Sequence, residues 1–231
     1  NVGLLLGDPK QPVQRIMTCL SIQSDTIQEA IEGEVDLIVT HHPLPFKPIS
    51  KITPQSSTGQ RLWELASHGI AVYSPHTAWD NAIDGINDQL AALLHLSELT
   101  GLVEGGKIGN LSNPQSPQNL IEMLRGRLGP LLVQCSRTDL QHQVRRIAIV
   151  CGSGGSFIEA AIAAGAELLI TGEATYHQHL EATARGLCLL TIGHFASEFF
   201  AMRSLANRLS AAYPSLHVWC SQSERDSFTV H

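Results

Sequence analysis

The sequence predicts an α/β fold made of two related αβ halves. Three observations carry this prediction. Short continuous apolar runs, suited to strands covered on both faces, alternate with stretches of helical spacing. Two of these runs match each other: Val35-Asp36-Leu37-Ile38-Val39-Thr40 lines up with Ala166-Glu167-Leu168-Leu169-Ile170-Thr171. Downstream, Gly69-Ile70-Ala71-Val72-Tyr73 lines up with Gly186-Leu187-Cys188-Leu189-Leu190, and each leads to a His followed four residues later by an acid, His76…Asp80 and His194…Glu198.

Taken in order, residues 2–6 read as a strand and residues 24–31 as a helix, with Ser24 or Asp25 near its cap. Residues 35–40 and 70–74 read as strands, and residues 59–68 and 85–96 as helices. Four Gly and two Pro crowd residues 101–117, which therefore read as the connector. The alternation then resumes: strands at 146–150, 168–171 and 187–192, helices at 157–164, 174–184 and 196–211. This divides the chain into a first αβ half (1–100), a connector with peripheral elements (101–143) and a second αβ half (144–231) packed with the first as one functional unit. A pseudo-twofold relation between the halves is expected.

Composition narrows the function. The formal charge is −6 and no Lys/Arg run stands out, which argues against broad nucleic-acid binding, a mode that depends on neutralising phosphates. The apolar stretches fall well short of the roughly 20 residues that span a bilayer, so no membrane partner is expected. The five cysteines are widely spaced with no C-x-x-C, and read as reduced, mostly buried small hydrophobes, as in a cytoplasmic protein. The chain opens on a strand without an initiating Met, so a segment ahead of Asn1 is expected to be missing.

Three clusters just beyond predicted strands are rich in metal-ligand types. In Thr40-His41-His42-Pro43, the strand end fixes two adjacent imidazoles, and Pro43 restricts His42 to extended backbone. Adjacent extended residues point to opposite sides, so His41 and His42 would serve two ions or opposite faces of one site. In the second cluster, Asp80 is either a helix cap or a ligand, and His76 has the same two readings. In the third, Gly193-His194-Phe195-Ala196-Ser197-Glu198, a helix from Ala196 onward would put Glu198 in its first turn, where it is a ligand or a capping carboxylate. Taken together, the clusters favour a metal centre, because ligands gather beyond the carboxyl ends of strands in parallel αβ folds. Imidazole and carboxylate suit Zn, Fe, Mn or Co, and a carboxylate can bridge two ions.

In the repeat position of the His pair stands Gly172-Glu173. Glu173 and His177 are candidate proton-transfer or ligand-supporting groups; the equal alternative is a helix cap and an exposed imidazole. Cys151-Gly152-Ser153-Gly154-Gly155-Ser156 joins a strand to a helix, so its amides either cradle an anion or form a tight turn near the metals. It lacks the Lys of a P-loop.

In segments 1–8, 36–44, 76–92, 151–158, 170–177 and 193–198, the chain resembles the NIF-three-like family, also known as GTP cyclohydrolase I type two homologues or YbgI-like dinuclear metal-centre proteins. The resemblance implies an α/β/α fold in its compact form, without the inserted domain some members carry. It implies two divalent metal ions held by His41, His42, Asp80, His194 and Glu198, with His76 less firmly placed, and a homohexamer whose metal sites face an internal cavity. A helical segment ahead of Asn1 is usual in the family.

The function expected from the ligands is a metal-dependent hydrolase of a small phosphorylated or nucleotide-like substrate, similar to a GTP cyclohydrolase by resemblance only. The alternative is a non-catalytic metal-binding oligomeric scaffold for metal handling or protein partners.

Overall fold

The computed structural model describes residues 2–102, 105–137 and 139–228. Asn1, with which the family-like N-terminal segment opens, lies outside them, as do Val103, Glu104 and Thr138 of the expected connector.

In chain order, β1 (Gly3–Leu6) and β2 (Arg15–Cys19) precede α1 (Ser24–Glu32), β3 (Leu37–Thr40), α2 (Ser57–Ser67), β4 (Ala71–Ser74) and α3 (His76–Asn81). Next come α4 (Ile86–Leu93), β5 (Ser97–Gly101), β6 (Lys107–Gln115), α5 (Pro117–Leu128), β7 (Gln134–Cys135) and β8 (Val144–Val150). A 3₁₀ turn (Gly155–Phe157) leads into α6 (Ile158–Ala163), β9 (Leu168–Thr171), α7 (Tyr176–Ala184), β10 (Cys188–Thr191), α8 (His194–Ala212) and β11 (His217–Cys220). Two compact units result: Asn1–Trp79 with Ala201–Asp226, and Asp80–Phe200 with Ser227–His231. The chain thus leaves the first unit within α3 and returns to it within α8.

The first unit holds a five-stranded sheet in the order β1-β4-β3-β2-β11. Strands β11, β2, β3 and β4 run parallel, and β1 is antiparallel to β4. Its core joins Met17, Ile38 and Val72 of the parallel strands to Ile27 of α1 and Leu62 and Leu65 of α2, all buried. Removing each such side chain from water contributes about 1.5–3 kcal/mol. Helix α1 is capped at Gln23, one residue before Ser24, where the Gln23 N–H donates to Thr26 Oγ1 at 2.7 Å.

The second unit holds a six-stranded sheet in the order β5-β6-β8-β9-β10-β7. Here β8, β9 and β10 are parallel, β7 is antiparallel to β10, and β6 is antiparallel to β8. Ala148, Leu169 and Leu189 from the parallel strands pack with Ile158 and Ala161 of α6 and Ala182 of α7.

The α/β class and the two related halves are therefore as expected, and the relation extends to individual hydrogen bonds. The strand orders β1-β4-β3-β2 and β7-β10-β9-β8 are the same, met in the same order along the chain. In the first unit Oδ2 of Asp36 accepts from the backbone N–H groups of Gln14 (2.7 Å) and Arg15 (2.9 Å). In the second, Oε2 of Glu167 accepts from those of Arg145 (2.6 Å) and Arg146 (2.9 Å). The Arg15 guanidinium donates to the Gly33 carbonyl, and that of Arg146 to the Ala164 carbonyl. Chance similarity between two buried strands does not produce matched acid and arginine contacts at the matched positions.

Part of the turn-rich stretch 101–117 is a strand. Residues of β6 pair with both β5 and β8, and the register breaks between Asn110 and Gln115. Pro114 falls in that irregular portion, where its missing N–H costs no regular ladder bond. Gly and Pro mark loops in general, but here neighbouring strands supply the pairing that local propensity does not.

Candidate metal centre

In the first unit, the donors sit just past β3. The backbone N–H of His41 donates to the Cys19 carbonyl (3.0 Å) and that of His42 to the Leu20 carbonyl (2.8 Å), extending the β2–β3 pairing beyond Thr40. The Ser74 hydroxyl donates to the His41 carbonyl at 2.7 Å, so the end of β4 holds the same backbone from its other side. His41 is buried and His42 partly so. Their ring centroids are 5.1 Å apart, and His76 lies 5.3 Å from His41 and 6.4 Å from His42. The imidazoles do not point to opposite sides as strict alternation predicts, because both follow the last strand residue and the bend there turns the rings together. His76 opens α3 with φ +36°, a left-handed backbone unfavourable for a residue with a Cβ. Gly193 takes a positive φ (+96°) at the corresponding step before α8.

Two residues that sequence reasoning missed orient His42. Ser21 Oγ is 2.7 Å from its Nδ1. Glu224, buried, accepts from the backbone N–H groups of Leu20 (2.8 Å) and Ser21 (2.6 Å). Burial pushes the Glu224 carboxyl above its usual range, while those two N–H groups and the His42 imidazole oppose the rise. With Nδ1 engaged by Ser21, Nε2 is the atom suited to ligation. A serine two residues beyond a strand carries no motif, so only the fold reveals it.

In the second unit, Asp80, His194, Glu198 and Glu173 form one electrostatic group. Helix α8 begins at His194, not Ala196, so Glu198 lies a full turn along it, on the same face as His194. Nε2 of His194 is 3.1 Å from Oε2 of Glu198, and Nδ1 is 3.2 Å from Oε1 of Glu173. Glu173 also accepts a short hydrogen bond from the Ser153 hydroxyl. The Glu198 hydrogen bond raises the His194 pKa to about 9, against burial, with Glu173 adding to the rise. Asp80 is pushed up to about 7 by burial and by the Glu198 charge, with His194 acting the other way. The Ser153 hydroxyl and His194 hold Glu173 below the usual carboxylate range. Such a concentration of shifted groups marks functional sites more often than ordinary surfaces.

Asn87, buried and also absent from the sequence reading, connects this group to the sheet. Its amide donates to the Asp80 carbonyl (3.0 Å) and accepts from the Cys151 backbone N–H (2.9 Å). The loop after β8 is a tight turn with two of its amides turned inward. The Gly152 N–H donates to Ser197 Oγ (3.0 Å) and the Gly154 N–H to Thr171 Oγ1 (2.8 Å), so these donors are already engaged within the protein. Gly152 has φ +65°, and a Cβ there would collide with Oε1 of Glu198. Only glycine lets the turn lie against that carboxylate.

Beside Glu173 is a pocket of about 410 Å³ lined by Ser153, Gly155, Ser156, Glu173, Thr175 and Gln178. His177 is exposed on α7, where its ring meets that of Tyr176, and is not part of the Ser153–Glu173–His194–Glu198 chain.

The model of the family described as Duf34/NIF3 (NGG1p interacting factor 3) matches residues 1–227. A Clostridium perfringens protein named GTP cyclohydrolase 1 type 2 homolog is 32% identical over 239 residues, covering 99% of this chain and 90% of the relative. The solved structure of a Bacillus cereus protein related to NIF3 superposes with a TM-score of 0.91 at 20% identity, covering 100% of this chain and 93% of that one. That of the protein ybgI superposes with a TM-score of 0.84 at 29% identity, covering 96% and 88%.

Proposed function

The chain belongs to the Duf34/NIF3 (NGG1p interacting factor 3) family, and on that premise we propose that it is a dinuclear-metal hydrolase of a small phosphorylated or nucleotide-like substrate. The proposed ligands are His41, His42, Asp80, His194 and Glu198, with His41 and His42, whose ring centroids are 5.1 Å apart, sharing one ion. The donor chemistry fits: imidazole nitrogens and carboxylate oxygens, without thiolate, suit Zn, Fe, Mn or Co. Divalent ions held there would supply an activated water near neutral pH.

The observation that carries the catalytic reading is the Ser153–Glu173–His194–Glu198 chain beside the pocket that Ser153 and Glu173 line. Glu173 at Nδ1 of His194 fixes which ring nitrogen ligates, leaving Nε2 on the Glu198 side. The same carboxylate faces the pocket, so it is placed to receive or return a proton on a bound substrate. The hydroxyls of Ser153, Ser156 and Thr175 suit a polar, oxygen-rich ligand.

The relative's cyclohydrolase name suggests a nucleotide, and the test therefore includes GTP among phosphoesters and nucleotides. Wild type, Glu173→Ala and Glu198→Ala are assayed with metal content measured in parallel. Turnover that falls with metal loss in Glu198→Ala, and falls with metal retained in Glu173→Ala, supports hydrolysis. Turnover indifferent to metal removal refutes it, and stoichiometric metal without turnover on any substrate favours a metal-binding scaffold. We extend the proposal to a cytoplasmic homohexamer, to be checked by light scattering; no described helix is long and apolar enough to cross a membrane.

A further inference from the structure

Five cysteines are present and all are free thiols, but they are not equivalent. Cys19, Cys151 and Cys188 are buried, whereas Cys135 and Cys220 are partly exposed. Cys135 ends the two-residue edge strand β7, opposite Leu190 of β10. Cys188 stands two residues earlier on β10, so alternation puts it on the same face as Leu190 and makes it the diagonal neighbour of Cys135. The two Sγ atoms are 3.5 Å apart and hydrogen-bonded.

The surroundings fix this pair and differentiate its members. The Ser136 N–H donates to the Leu189 carbonyl (2.9 Å), and the Leu189 N–H donates back to Ser136 Oγ (2.8 Å), locking β7 against β10. The Arg137 guanidinium is held beside the pair by the Gly186 carbonyl at 3.2 Å. The Cys188 thiol stabilises a thiolate on Cys135 against burial, and the Arg137 backbone N–H and guanidinium add to it. Cys188 is shifted the opposite way, first by the same hydrogen bond and then by burial. One sulfur is thus accessible and activated, and the other is buried within reach of it, the arrangement of a reacting and a resolving thiol.

We propose that Cys135 and Cys188 are a hydroperoxide-reactive dithiol, with Cys135 oxidised first and Cys188 closing a disulfide between β7 and β10. The Cys135 thiolate attacks a peroxide oxygen and the O–O bond breaks, leaving sulfenic acid on Cys135 and, for hydrogen peroxide, releasing water after protonation. The Cys188 sulfur then attacks the Cys135 sulfur, the S–O bond breaks, and a second water carries away the oxygen and the Cys188 proton. Two thiols lose two electrons and one hydroperoxide gains them. The sulfurs must close from 3.5 Å to about 2 Å, a small shift for a two-residue edge strand. The bond would staple that edge to the strand leading to His194.

The test uses the reduced chain, hydrogen peroxide at stoichiometric excess, and peptide mapping without reductant. The expected product is an intramolecular Cys135–Cys188 cross-link, with a mass loss of two hydrogens reversed by dithiothreitol. Cys188→Ser should stop at a sulfenic acid on Cys135 that dimedone traps, and Cys135→Ser should leave Cys188 reduced. Oxidation of Cys220 while Cys135 and Cys188 both remain thiols would overturn the proposal. So would a cross-link only between chains. The wild-type map decides even if a variant fails to fold.

Discussion

Replacing Gly152 by Ala perturbs backbone and site together, and Gly186 provides a control that separates them. Both residues have left-handed backbones, φ +65° at Gly152 and +77° at Gly186. A Cβ at Gly186 meets nothing within 4 Å, whereas one at Gly152 collides with Glu198 Oε1 and lies 3.4 Å from His194 Nε2. The left-handed conformation costs a residue with a Cβ about 1–2 kcal/mol, and the loss of glycine's freedom in the unfolded chain returns about 0.4–1 kcal/mol. Gly186→Ala should therefore destabilise by about 1.5 kcal/mol or less. Gly152→Ala must in addition drive the Glu198 carboxylate from its 3.1 Å contact with His194. A hydrogen bond between charged groups contributes about 1.5–3 kcal/mol, so the total should reach about 2–4 kcal/mol. At about 2–4 °C per kcal/mol for a chain of this length, the two variants should be well separated in thermal unfolding. Metal content should fall in Gly152→Ala and hold in Gly186→Ala. Equal losses of stability in both, or full metal occupancy in Gly152→Ala, would refute the assignment of Gly152 to the close approach of Glu198.

Two further predictions concern the frame around the site. Glu29 on α1 accepts from Trp219 Nε1, from Ser221 and Ser223 hydroxyls, and from the backbone N–H groups of Gln222 and Ser223, tying β11 and the residues after it to α1. Burial opposes its ionisation, but these bonds prevail and lower its pKa from 4.5 to about 2. A depressed folded pKa gives stability that is present above the unfolded value and lost as pH falls through the folded one, so the window runs from about 4.5 down to about 2. At face value the shift corresponds to about 3 kcal/mol, and discounting for partial exposure leaves about 1–2 kcal/mol. Glu29→Gln should lose that amount at pH 7 in urea unfolding, and the difference from wild type should shrink toward pH 2; a pH-independent difference would contradict it. Asp36→Ala and Glu167→Ala remove corresponding pairs of backbone contacts, and each should cost about 1–3 kcal/mol. Strongly unequal losses would show that the two halves are related in outline but not in energetics.

Most of the parallel core was legible because its signal is local. Residues 37–40 and 168–171 are continuous apolar runs, and Asp36 and Glu167 mark the repeat directly ahead of them. Strands β2, β5, β6, β7 and β11 were not read: β2 and β11 are short runs opening on Arg15 and His217, β5 is exposed throughout, β6 contains Gly109, Asn110 and Pro114, and β7 has two residues paired through β10. Their pairing is set by neighbours distant in sequence. The candidate ligands were readable because His and acidic residues just beyond strands are conspicuous. The groups that orient them were not, since Ser21, Asn87 and Glu224 are ordinary polar residues until the fold brings them to His42 and Asp80. The Cys135–Cys188 proximity was equally hidden, because nothing in a spacing of 53 residues announces a diagonal pair on adjacent strands.

The metal-to-chain ratio of wild type, His41→Ala, His42→Ala and the double variant tests the central claim most directly. If His41 and His42 serve one ion, each single variant should lose it, and the double variant should lose no more than either alone. Full occupancy in both single variants, or losses that simply add in the double, would contradict a shared metal centre.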